Sequence, residues 1–72
     1  MRQKLTILET REKIEELNNS ISEGWLEVSD LYKELAAKPN SQDIKDTIAL
    51  VKSITRENIN ESKRLENTLV NL

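Results

Sequence analysis

The sequence predicts an all-α fold, an antiparallel helical hairpin. Three observations carry that expectation. Apolar residues recur every seven positions along the first half, at Ile7, Ile14, Ile21, Val28 and Leu35. This is the period of a helix packing along another helix. A strong turn, Lys38-Pro39-Asn40-Ser41-Gln42-Asp43, then interrupts the pattern. Beyond it an apolar stripe begins again at Ile44, Ile48 and Val51. Helices joined by a short link pack as antiparallel neighbours.

The first segment runs from about residue 3 to residue 38. Leu17 and Leu31 fall at the second heptad position, three residues after Ile14 and Val28. The same register puts Thr10 and Gly24 where Leu is preferred. Trp25 and Tyr32 follow Ile21 and Val28 by four residues and widen the stripe on one side. Leu5, Leu8 and Leu26 add apolar surface away from the seam. Asn18-Asn19-Ser20 and Ser22-Glu23-Gly24 are the weak points. Glycine inside a helix costs about 1 kcal/mol relative to Ala, and Asn and Ser compete for backbone hydrogen bonds. Composition therefore favours a break into helices of about 3–20 and 23–38, with Ser22 as a cap and a short extra N-terminal helix. The unbroken heptad phase across Gly24 favours one continuous helix. The balance leans slightly to a break.

The turn is better defined. Pro39 disfavours helical geometry at Lys38. Asn40 or Ser41 can cap the next helix, with Asp43 in its first turn facing the positive end of the helix dipole. With Asn40 as the cap, Asp43 completes a variant of the capping box. The second helix is expected over about 41–70. Leu50 and Ile54 flank its first stripe, and Leu65, Leu69 and Leu72 resume it at the end. Between them the same phase holds Thr55, Asn58 and Ser62. The half next to the turn should pack well and the middle poorly.

Composition bounds the function. The 72 residues are expected to form one domain, 1–72, too short for a large enclosed active site. Charged residues make up 33 % and aromatics 3 %, which favours disorder, but the Ile, Leu and Val residues are periodic rather than scattered. A formal charge of -2 argues against a nucleic-acid binder, which needs an excess of Lys and Arg. Cysteine and histidine are absent, so disulfides, thiol chemistry and the usual transition-metal ligands are absent too. A reducing, cytoplasmic setting is the expectation. No apolar run is long enough to span a membrane. Met1-Arg2-Gln3-Lys4-Leu5-Thr6-Ile7-Leu8-Glu9 reads as the start of a helix rather than a signal peptide.

Few residues invite chemistry. Glu12, Glu15 and Glu16 cluster, with Glu12 and Glu16 one turn apart. A carboxylate pair of this kind can serve acid–base work or a divalent ion. The second carboxylate pair and the Glu-x-x-His of helical metal sites are missing, so a solvated face is the expected reading. Lys52, Arg56, Lys63 and Arg64 are interleaved with Glu57, Glu61 and Glu66. No nucleophile stands beside a base, and no catalytic residue, metal site or cofactor is expected. Trp25 and Tyr32, the sole Trp and Tyr, share a helix face. They fit either the hairpin core or an anchor in a protein interface, where aromatics are enriched.

The stretch Leu31-Tyr32-Lys33-Glu34-Leu35-Ala36-Ala37-Lys38, the turn Pro39-Asn40-Ser41-Gln42-Asp43 and the helix from Ile44 to Ile54 resemble a family. It is that of the small co-chaperones of type III secretion needle subunits. Lys33 and Leu35 match its Lys/Arg-x-Leu pattern, and Ala49-Leu50-Val51 stand where it has an Ala-Leu-like pair. The resemblance spans about residues 26–70. It implies a cytoplasmic protein of secretion and virulence systems. Such a protein packs on a tetratricopeptide-like chaperone, and the two keep the needle subunit unpolymerised. It also implies that Ile21, Trp25, Val28, Tyr32, Leu35, Ile44, Ile48, Leu50 and Val51 form the contacting faces.

Each helix carries more apolar surface than one partner helix covers. A third helix, a dimer or a larger partner is therefore expected to complete the fold. A homo-oligomeric coiled-coil module, a homodimer when alone, is the competing reading.

Overall fold

The computed structural model describes residues 7–71. Helices α1 (Ile7–Ala37) and α2 (Gln42–Val70) pack along each other as an antiparallel hairpin, as the heptad pattern predicts. Residues 3–6 of the expected first helix, Leu5 among them, and Leu72 of the second stripe lie outside the described residues. The molecule measures 55 × 17 × 17 Å, with a radius of gyration of 16.4 Å. A compact chain of this length would have a radius of about 11 Å. Two long helices side by side make a rod, and a rod has little interior.

The expected break near Gly24 does not form. α1 runs through residues 18–24 as one helix of 31 residues, with no separate N-terminal helix among the described residues. The reason lies in packing. Ile14, Leu17, Ile21, Gly24, Val28, Leu31 and Leu35 are all buried or half-buried along one stripe. A break would take one half of that stripe out of phase with α2. Continuous contact outweighs the intrinsic cost of a single glycine, which is about 1 kcal/mol.

The connection is tight. The Lys38 amide donates to the carbonyls of Glu34 and Leu35, ending α1, and the Ser41 amide donates to the Lys38 carbonyl at 3.0 Å. This is a β-turn with Pro39 and Asn40 at its centre. No described residue has positive φ, so the turn is not type II, and Pro39 occupies the position that type I turns favour. Ser41, not Asn40, is the N-cap of α2, and its hydroxyl accepts from the Ile44 amide at 3.3 Å. Asp43 stays in the first turn, one residue short of the capping-box position. Gln42 donates to Asp46 at 2.9 Å and reinforces the same turn.

The seam is half apolar and half polar. Ile14, Val28 and Ile48 are its buried apolar residues, and Thr10, Thr55 and Ser62 are its buried polar ones. Near the turn, Val28 and Ile48 are joined by half-buried Leu31, Leu35, Ile44 and Val51. Toward the middle of α2 the stripe passes into Thr55, Asn58 and Ser62, where the spacing predicts poor packing. Instead Thr55 and Ser62 are buried as deeply as Val28 and Ile48, because small side chains, Thr55 opposite a glycine, let the helices approach closely.

Candidate interaction surface

The middle of the seam fixes how the two helices lie. Gly24 faces Thr55, and a Cβ built on Gly24 would meet three of its side-chain atoms. It would sit 3.3 Å from Thr55 Cβ, 3.4 Å from Cγ2 and closer still to Oγ1. A bare backbone here lets the branched side chain lie against α1. Thr55 is the most enclosed side chain of the hairpin, and its hydroxyl donates to the Val51 carbonyl at 2.7 Å. That bond satisfies the hydroxyl inside α2, so burial leaves no orphaned donor. Two turns further, buried Ser62 donates across the seam to Asn18 Oδ1 at 3.1 Å.

Gly24 also fixes the two flanks of the hairpin. Trp25 is one residue on, and each residue turns a helix by about 100°. Trp25 therefore points to one side of the seam, and Tyr32, a heptad later, points the same way. On that side Lys52 donates to the Tyr32 hydroxyl at 2.7 Å. Its ammonium lies 5.2 Å from the ring centre. The difference between these distances matches the span from ring centre to phenolic oxygen. The ammonium is thus off the hydroxyl end in a hydrogen bond, not over the aromatic face. Glu23 and Glu27 turn to the opposite side. They line a shallow groove of about 320 Å³ with Gly24, Val51, Ile54 and Thr55.

The nine residues of the expected contacting faces divide three ways. Val28 and Ile48 are buried between the two helices. Ile21, Leu35, Ile44 and Val51 are half-buried along the same seam. Trp25, Tyr32 and Leu50 are 41 %, 46 % and 60 % exposed. The exposed three are not neighbours. Leu50 precedes Ile54 by one turn and shares the groove side, whereas Trp25 and Tyr32 stand on the far flank. Ile54, 49 % exposed, belongs to the outward surface, whereas its spacing alone marks it only as flanking the stripe. Its place follows from the Gly24–Thr55 register, which a sequence shows only once the antiparallel pairing is aligned.

No converging chemistry appears among the described residues. Glu12, Glu15 and Glu16 lie exposed on the outer surface of α1. No group of three or more carboxylates converges in a metal-binding arrangement there. Arg64 pairs with Glu61 one turn away on α2. No described helix is long and apolar enough to cross a membrane. No family model matches the chain, and neither a curated protein nor a solved structure matches it.

Proposed function

We propose that this chain is a non-enzymatic binding protein, a helical hairpin that completes its bundle with helices supplied by another chain. The placement of Trp25 and Tyr32 carries this reading. The only two aromatic residues stand outside the seam, a heptad apart on one flank, each close to half exposed. Aromatic side chains at such positions are the usual anchors of protein interfaces. The thin seam supports the same reading, because with Ile14, Val28 and Ile48 as its buried apolar residues the hairpin gains from any helix laid along its side.

The particular role we propose is that of a cytoplasmic co-chaperone of a type III secretion needle subunit, bound to a tetratricopeptide-like chaperone. Its support is the sequence resemblance over Leu31 to Ile54 together with the hairpin layout. Its mechanism is burial: apolar flanks are masked, the chaperone is stabilised and the needle subunit is held unpolymerised. No reaction and no cofactor enter this mechanism.

Co-expression with the needle subunit and tetratricopeptide-like chaperone of the same genome tests the proposal. The expected result is a soluble complex of fixed stoichiometry containing this chain, weakened by Trp25→Ala. Failure to co-elute, with the other two proteins equally soluble in its absence, would overturn the co-chaperone role.

A further inference from the structure

The two flanks of the hairpin carry opposite charge. The Gly24–Thr55 contact orients both helices, and the helical step of about 100° then sorts every side chain to one flank or the other. The groove flank receives Glu9, Glu12, Glu16, Glu23, Glu27, Asp30 and Glu34 from α1. From α2 it receives Asp43, Asp46, Glu57 and Glu61. Its cations among the described residues are Lys13 and Arg64, and Arg64 is already paired with Glu61. The aromatic flank receives Arg11 and Lys33 from α1 and Lys45, Lys52, Arg56 and Lys63 from α2, against Glu15 and Glu66. The net charge of -2 therefore conceals one strongly acidic side and one basic side.

Each flank also exposes apolar side chains at the same height on the rod. Trp25 is next to Gly24, and Ile54 is next to Thr55, so the two are level on opposite sides. Nearer the turn, Leu50 follows one turn from Ile54 on the groove side and Tyr32 two turns from Trp25 on the other. The chain exposes 5793 Å², whereas a compact monomer of its mass exposes about 4,600 Å². A stable interface takes roughly 800 Å² from each partner. The surplus, about 1,200 Å², lies between what one and two covered flanks would remove.

From these features we infer that the surface each flank fits is the opposite flank of a second copy of this chain. The basic, aromatic side of one hairpin docks on the acidic Leu50–Ile54 side of the next. The contact is heterologous, so a docked pair still presents one free acidic flank and one free basic flank. Such an interface repeats until it closes as a ring or continues as an open stack. A two-fold dimer through either flank alone would set like charges together, which disfavours it. This inference goes beyond the partner-binding reading. A foreign helix on the Trp25–Tyr32 flank would compete with the second copy.

The test uses the full chain alone, so its failure is separate from failure of the co-chaperone role. Size exclusion with light scattering should show a mass that rises with concentration. Raising salt from about 0.01 M to about 0.15 M shortens the screening length from roughly 30 Å to roughly 8 Å and should weaken association about tenfold. Glu23→Lys/Glu27→Lys makes the groove flank basic, and Lys52→Glu/Arg56→Glu makes the aromatic flank acidic. Each variant alone should be monomeric and helical by circular dichroism. Mixed in equal amounts, they should associate again. If loss of the Lys52–Tyr32 bond costs the fold, Arg56→Glu/Lys63→Glu makes the reversal without touching it. A monomer at all concentrations, a closed dimer indifferent to salt, or a mixture no larger than its components would each overturn the inference.

Discussion

Gly24 of α1 packs against Thr55 of α2, and the pair sets both the register and the two-sidedness of the hairpin. A methyl group at residue 24 would meet Thr55 Oγ1, Cβ and Cγ2 together. Thr55 is β-branched, buried and hydrogen-bonded to its own helix, so it has little freedom to move aside. Gly24→Ala should therefore destabilise the hairpin by about 1–3 kcal/mol through overpacking, despite the better helix propensity of Ala. In a Thr55→Ala background the same change should turn neutral or favourable by up to about 1 kcal/mol. A double-mutant cycle by urea denaturation measures this. Additive effects of the two substitutions would show that the contact does not limit packing.

Asn58 occupies the apolar phase of α2 yet is only half-buried, beside the groove that Gly24 and Thr55 help to line. A leucine would add apolar contact at a seam position that now carries an amide. Asn58→Leu should stabilise the isolated hairpin by about 1 kcal/mol, which raises Tm by roughly 4–8 °C in a domain of this size. Thermal denaturation followed by circular dichroism reads the shift. An unchanged or lower Tm would mean that the amide is held by the seam rather than tolerated.

The seam and the turn were legible in the sequence because each is written locally. Seven-residue spacing marks one helix face whatever that helix packs against, and Pro39 stops α1 through its own stereochemistry. Continuity through Gly24 was less legible. The local composition of residues 18–24 counts against a helix, while the compensation comes from α2, about thirty residues away in the chain. The flanks were least legible. Spacing shows that Trp25 and Tyr32 share a face, but the bond between Tyr32 and Lys52 joins positions whose pairing depends on the antiparallel register. That same register separates Leu50 from the aromatic pair.

The cap of α2 has a defined cost. The Ser41 hydroxyl accepts the Ile44 amide, and the Ser41 carbonyl accepts the Lys45 amide at 3.3 Å. Ser41→Ala removes only the first of these. It should cost about 0.5–2 kcal/mol, whereas Ser41→Asp should retain most of the cap. Chemical denaturation of both variants measures the difference. Equal stability of Ser41→Ala and the parent chain would transfer the capping role to Asn40.

Val28 and Trp25 test the division between seam and flank, because they stand three residues apart with different placements. Val28 is buried between the helices, and Trp25 stands on the outer flank. Val28→Ala removes apolar contact from the interior and should cost about 2 kcal/mol of folding stability. Trp25→Ala leaves the seam intact and should cost less than about 1 kcal/mol in the isolated chain. In a complex that covers the flank it should cost about 2 kcal/mol or more, the range of an interface anchor. That corresponds to an affinity loss of roughly thirtyfold or more. Denaturation of each variant alone, with titration of each against the co-expressed partner, separates the two effects. If Trp25→Ala instead lowers stability as much as Val28→Ala and leaves binding unchanged, the indole belongs to the hairpin's own core and the partner lies elsewhere.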